Sequence, residues 1–387
     1  MQASLRLFKA FGIDVKVHVT FLFIVVYFAY LWGAVYPPGG VLGALYGAVL
    51  VVLLFGLVTI HELSHSRVAQ HFGVNVKGIT LLPIGGMAQM EEIPKEPRKE
   101  LLISVAGPMS NLVIGALMIV GALFIYRSGE LSSIKAVADL LLQRSFKGAY
   151  LYLTFVNITL ALFNLLPAFP LDGGRVFRAL LALKLGQAQA TRIAVRVGQA
   201  LALALGLWGL LGGGILVLLV AAFIFLGASS EGKGEEAGRV LGDLTVGQAV
   251  NTSIEYAHPE QVVGELAARL LHTYQEDFLV IDEAGRLLGI LTRDRLIEAL
   301  SRHGRYYPVS QAMRREVPHA SPGDLVYDAY KRMRAAGLKA IPVVDDGRLI
   351  GMLSMEDISE VYSLLAAAGP DLLKQVPSYR ARARDVV

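Results

Sequence analysis

The sequence predicts a polytopic α-helical membrane domain, with about six transmembrane helices and a small membrane-associated β-hairpin, followed by an α/β module built from two copies of one unit. Three observations predict it. Long uncharged runs dominate up to about Ala228, charged residues return every few positions beyond it, and the second half repeats itself with a period of about 60 residues. At 54% hydrophobic, 18% charged and a mean hydropathy of +0.53, a chain of 387 residues is too apolar for a soluble protein. The net charge of +4 is modest and reads as basic loop bias rather than affinity for nucleic acid, so no nucleic-acid partner is expected. Cysteine is absent, which excludes disulfides and thiolate ligands; any bound metal must be held by His, Asp or Glu.

Taken in order, Arg6, Lys9, Asp14 and Lys16 precede the first apolar run, and no small-residue cleavage site follows it. A retained helix is expected there. Six segments approach the roughly 20 residues needed to span a bilayer: 17–36, 41–71, 101–126, 150–166, 193–211 and 214–228. The run Gly212-Gly213-Gly214 separates the last two. Basic residues cluster before the first segment (Arg6, Lys9, Lys16), between the second and third (Arg67, Lys77, Lys95, Arg98, Lys99) and after the fourth (Arg175, Arg178, Lys184, Arg192, Arg196). Positive-inside bias then predicts a multi-pass protein of the cell membrane with both termini cytoplasmic. Residues 74–90 are apolar and glycine-rich, and read as a strand pair with a turn. Backbone of that kind at membrane depth must be buried in protein or line a wet cavity.

The domain boundaries follow from composition: a membrane domain over 1–228, a polar, Gly-rich linker over 229–239, a repeated module over 240–366 and a basic tail over 367–387 containing Arg380, Arg382 and Arg384. The repeats occupy 240–300 and 308–366. Val246-Gly247-Gln248-Ala249-Val250 matches Val309-Ser310-Gln311-Ala312-Met313, and Gly285-Arg286-Leu287-Leu288-Gly289 matches Gly347-Arg348-Leu349-Ile350-Gly351. A helical stretch at 262–272 and short strands at 278–281 and 287–291 are predicted in the first copy.

Chemistry concentrates at His61-Glu62-Leu63-Ser64-His65. Histidines at i and i+4 share one helix face and can reach one metal ion, with the intervening glutamate available to a metal-bound water. Residues 41–60 carry no charge, so Glu62 is the first ionisable carboxylate in an apolar helix. Such a group costs roughly 2.5–3.5 kcal/mol at membrane depth and usually marks function. A catalytic site needs a third protein ligand and one open position. Asp172 is the only acidic residue between Asp139 and Glu231, and it follows Pro167 and Pro170 in a broken helix, so elimination selects it. The alternative for Asp172 is a plain turn or helix cap.

The HExxH run, the Asn164 to Asp172-Gly173-Gly174 run and Gly107-Pro108-Met109-Ser110-Asn111 together resemble the site-2 protease family of intramembrane zinc metalloproteases, and the repeated half resembles a tandem CBS-domain pair. The resemblance implies a zinc ion on His61, His65 and Asp172, Glu62 as general base, and Asn164 holding substrate or stabilising the oxyanion. It also implies that the Gly85-Gly86 hairpin offers an edge to an unwound transmembrane-protein substrate, such as a membrane-held transcription regulator or an anti-sigma-like protein. For the CBS pair it implies adenine nucleotide binding, homodimerisation and a Thr/Ser-x-x-Asp element. The second copy keeps that element as Ser354 and Asp357, whereas the first has Thr292 followed by Arg295 where the carboxylate is expected. A guanidinium cannot accept ribose hydroxyls, so one site of ordinary type is expected, with any site at Thr292 weak or altered. Two other readings stand beside the protease: a CBS-regulated metal-dependent transporter, and an inactive membrane scaffold.

Overall fold

The computed structural model describes residues 4–368 apart from Pro38, Ile84, 91–93, Lys95, Ser128 and Tyr274; the arginines of the basic tail lie outside the described residues. The chain divides into two compact units, Met1–Lys233 and Gly234–Val387.

The first unit opens with a hairpin, β1 (Ser4–Ala10) and β2 (Ile13–His18), before the apolar helix α1 (Phe21–Tyr30), which continues as a π-helical turn over Leu31–Val35. The expected span at 17–36 is therefore shorter than predicted. Ile13 and Val15 alternate with polar neighbours and are fully buried, which is strand periodicity, and an apolar run that follows without a break hides the boundary. Next come α2 (Gly40–His71), β3 (Val76–Leu82), β4 (Gly85–Met90), α3 (Pro97–Ile125), α4 (Ile134–Leu141), α5 (Phe146–Asn164), α6 (Asp172–Leu185), α7 (Gln187–Trp208, with a π-helical turn over Gly209–Gly213) and α8 (Ile215–Leu241). Five of these helices, α2, α3, α5, α7 with its added turn and α8, are long and apolar enough to cross a membrane.

These helices show the packing expected where lipid replaces water. Phe124, Leu123 and Val41 point outward and stay exposed. The buried positions of α7 are Ala190, Thr191, Ala194, Gly198 and Ala202, small residues that let backbones approach closely. The predicted strand pair is β3 and β4, antiparallel, and it belongs to a larger sheet of order β1-β2-β3-β4 in which β2 and β3 run parallel. Ile13, Val15, Ile79 and Leu81 bury one face of that sheet against Val51, Phe55 and Val58 of α2. This contact seats the hairpin beside the HExxH turn.

The stretch 229–239, expected as a linker, is helical through Leu241. Glu235 and Arg239 stand four apart on it, the spacing at which opposite charges support a helix, though by less than its glycines cost. In the second unit the first copy holds α9 (Val246–Ala249), β5 (Tyr256–Ala257), α10 (Val263–Leu270), β6 (Phe278–Ile281), β7 (Leu287–Leu291) and α11 (Arg293–His303). The second copy holds α12 (Val309–Ala312), α13 (Val326–Ala336), β8 (Ala340–Asp345), β9 (Arg348–Ser354) and α14 (Met355–Ala368). The sequence repeat is thus a structural one, with strand pairs β6/β7 and β8/β9 in matching positions.

Candidate metal centre

Helix α2 places His61 and His65 one turn apart on its buried face, each less than 7% exposed. The third group arrives from the other side. Ala168, Phe169 and Leu171 are buried and pin the loop after α5, so that Asp172 begins α6 with its carboxylate on the two imidazoles. Asp172 Oδ2 lies 3.1 Å from His61 Nε2 and 3.1 Å from His65 Nε2, and the two Nε2 atoms are 3.1 Å apart. Around a tetrahedral zinc with bonds of about 2.0–2.2 Å, ligand atoms stand roughly 3.3–3.5 Å from one another. The three atoms found here therefore form nearly one face of such a tetrahedron, with the fourth vertex left for water or substrate. Among the described residues these three are the only group of His, Cys, Asp or Glu side chains converging in this way. His65 Nδ1 donates to the carbonyl of Ile103 at 2.6 Å, which leaves Nε2 as the lone-pair nitrogen facing Asp172, the tautomer a metal requires.

Two glycines set the walls of the site. A Cβ on Gly107 would lie 2.2 Å from His65 Nε2 and 2.6 Å from His61 Nε2, so α3 can pass the centre only with hydrogen there. A Cβ on Gly86 would meet Glu62 Cγ at 2.5 Å, so β4 crosses directly over the glutamate. Gly86 was expected to offer an edge to substrate, and its contact with Glu62 puts that edge beside the centre. Gly85 opens the same strand. Asn164 is the last residue of α5, half-buried, and closes the helix that leads into the Asp172 loop. Gly107 was visible in the sequence only as part of a motif; its contact with both imidazoles depends on how α3 packs on α2.

A second charged cluster was not anticipated. Arg178, read in the sequence as one of several loop cations, is half-buried and pairs with both Glu100 of α3 and Glu231 of α8. Glu100 is 2% exposed, and its other oxygen accepts from Gln187 Nε2 at 3.2 Å. The guanidinium also lies over the Phe169 ring, 5.0 Å from its centroid. Six residues beyond Asp172 on α6, Arg178 fixes that helix to its neighbours. The sequence showed Arg178 only as one of several basic residues along α6 and α7 and gave no partner for it.

In the second unit a cavity of about 580 Å³ has Ser354 and Asp357 in its wall. Their side chains cap α14 reciprocally: Asp357 Oδ2 accepts from the Ser354 hydroxyl at 2.6 Å and from its N–H at 2.8 Å, and Ser354 Oγ accepts from Asp357 N–H at 3.1 Å. Thr292 caps α11 by accepting from Arg295 N–H at 3.4 Å, and Arg295 has no carboxylate to return that bond. Thr292 is not part of the wall of the cavity.

Known proteins match in both units. The profile of peptidase family M50 matches residues 49–148 and 128–205, and that of the CBS domain matches 246–302 and 309–364. A zinc metalloprotease of Methanocaldococcus jannaschii is 33% identical over 366 residues, covering 94% of this chain and 98% of that one. The Mycobacterium tuberculosis protein Rip3 is 28% identical over 96% of each chain. Among solved structures, a site-2 protease from Methanocaldococcus jannaschii is 37% identical over 59% of this chain and 95% of that one, with a TM-score of 0.42. The full-length likeness runs through both halves, and Asp172 meets the two histidines from more than a hundred residues away; the chain belongs to peptidase family M50, the site-2 proteases, and carries two CBS domains.

Proposed function

We propose that the chain is an intramembrane zinc endopeptidase that hydrolyses peptide bonds in or near transmembrane segments of membrane-protein substrates. The reading is carried by one observation: the carboxylate of Asp172, at the start of α6, meets His61 and His65 on a helix long enough to cross a membrane, with the three ligand atoms about 3.1 Å apart. His61, His65 and Asp172 would hold the ion, and zinc when bound supplies acidity to a water at the open position, bringing its pKa to about 7. Glu62, one residue past His61 and under Gly86, accepts the proton of the attacking water and returns it to the leaving amine. The Asn164 amide donates to the scissile carbonyl as charge develops on its oxygen. A helical substrate hides its carbonyls in i to i−4 bonds, and pairing with the edge of β4 at Gly85 and Gly86 replaces those bonds as the helix unwinds. The CBS pair binds an adenine-containing ligand at the cavity beside Ser354 and Asp357, dimerises, and regulates cleavage from the cytoplasmic side.

The test is co-expression with candidate single-span membrane proteins, comparing wild type with Glu62→Gln. Cleavage is expected only with wild type, and Glu62→Gln is expected to lower turnover by about 10²–10⁴-fold while keeping its zinc. His61→Ala, His65→Ala and Asp172→Ala should each lose zinc as well as activity. Full activity in Asp172→Ala would remove the third ligand from this scheme.

A further inference from the structure

The cavity beside Ser354 has an unusual wall. Five carboxylates line it, Glu255, Glu276, Asp277, Glu356 and Asp357, against the single ammonium of Lys339. That ammonium is already engaged by Glu276 Oε2 at 2.9 Å, and the other oxygen of Glu276 holds the Arg293 guanidinium at 2.9 Å. Asp277 is 3% exposed; its Oδ1 accepts from Arg293 N–H at 3.0 Å, and its Oδ2 has no partner among the described residues. Burial, with Glu276 and Asp294 nearby, raises the Asp277 carboxyl above the ordinary carboxylate range, and burial, with Glu356 and Glu360 nearby, does the same to Asp357. Glu276 moves the other way, held down by Lys339 and Arg293, so the resistance to further negative charge sits at Asp277 and Asp357.

An ionised carboxylate only accepts hydrogen bonds. The ligand that complements such a wall brings donors and no net negative charge. A purine nucleoside does so through its ribose hydroxyls and exocyclic amine, whereas a phosphate brings acceptors and one or more negative charges. Like charges repel several-fold more strongly near a protein surface than in bulk water, so several carboxylates outweigh one paired lysine. From this we infer that the CBS cavity selects a purine nucleoside with a neutral or cationic substituent and discriminates against nucleoside phosphates. The inference rests on the adenine-ligand reading of the cavity proposed above, and it narrows the nucleotide expected from the family resemblance to a nucleoside.

The experiment is calorimetric titration of the full chain in detergent with adenosine, S-adenosylmethionine, AMP and ATP, in EDTA and again in magnesium. Adenosine and the sulfonium nucleoside are expected to bind at least about tenfold more tightly than AMP, with ATP weaker still, and the gap is expected to shrink as salt screens the wall. Glu276→Gln removes one charge and frees Lys339 and Arg293, so it should raise AMP affinity several-fold while leaving adenosine little changed. AMP or ATP binding more tightly than adenosine, in either buffer, overturns the charge inference and leaves the cavity as a nucleotide site. No binding by any of the four overturns the adenine-ligand reading and this inference with it. A Glu276→Gln variant with the same AMP penalty as wild type also counts against it, because the wall would then not be the source of selectivity.

Discussion

At the scale of single residues, the two glycines that wall the metal centre make separable predictions. Gly107→Ala would place a methyl group 2.2 Å from His65 Nε2 and 2.6 Å from His61 Nε2, where the ligand atoms themselves must give way. It is expected to lose metal, read by elemental analysis of the purified protein. The atoms nearest a methyl group in Gly86→Ala are Cγ, Cδ and Oε1 of Glu62 rather than a ligand atom, so the three ligands are expected to stay in place and metal to be retained. Its cost should fall on turnover, by about 10²-fold, because displacing a general base by an ångström is enough for a loss of that size. Metal loss in Gly86→Ala, or a metal-replete and active Gly107→Ala, would contradict the packing described here. The chain itself showed His61, Glu62 and His65 through their spacing, and Asp172 through its isolation among uncharged neighbours. Neither glycine contact was legible, since each depends on a strand or helix distant in sequence coming within bonding distance of the centre.

At the scale of elements, Arg178 joins α6 to α3 and α8 through Glu100 and Glu231. Breaking a buried pair leaves an uncompensated charge, so Arg178→Met is expected to destabilise the membrane unit by roughly 3–5 kcal/mol. The double variant Arg178→Met with Glu100→Gln removes both charges of the more buried pair and should recover much of that loss. Unfolding in mixed detergent-SDS micelles measures both, and equal loss in the single and double variants would show that the pair is not the source of the effect. Helix α6 also bears Asp172 at its first residue, so the single variant should lower zinc occupancy before it lowers the helical content of the membrane unit. Most elements were legible from periodicity and charge. Among those that were not are the β1/β2 hairpin, whose last residues merge into an apolar run, α4 and α6, which fall between the predicted spans, and the glycine-rich helical end of α8.

For the molecule as a whole, the basic clusters before α1, between α2 and α3 and beyond α5 predict that both termini face the cytoplasm. A reporter fused after Val387 should therefore read as cytoplasmic, and an external reading would overturn the orientation together with regulation from that side. The membrane unit, the repeated module and the pair of histidines on one helix face were legible in the chain, because each is a periodicity or a charge pattern carried within a local stretch. The same local reading nominated Asp172 but could not bring it to the histidines. It took the folded arrangement to show that α6 begins where its carboxylate lies 3.1 Å from both imidazoles, that β4 passes over Glu62, and that one arginine is shared by two glutamates. The cavity wall of five carboxylates is of the same kind, gathered from both repeats. Contacts of this sort join residues tens to more than a hundred positions apart, and the energy that selects them comes from close packing and charge pairing between elements, which no local pattern of residues records.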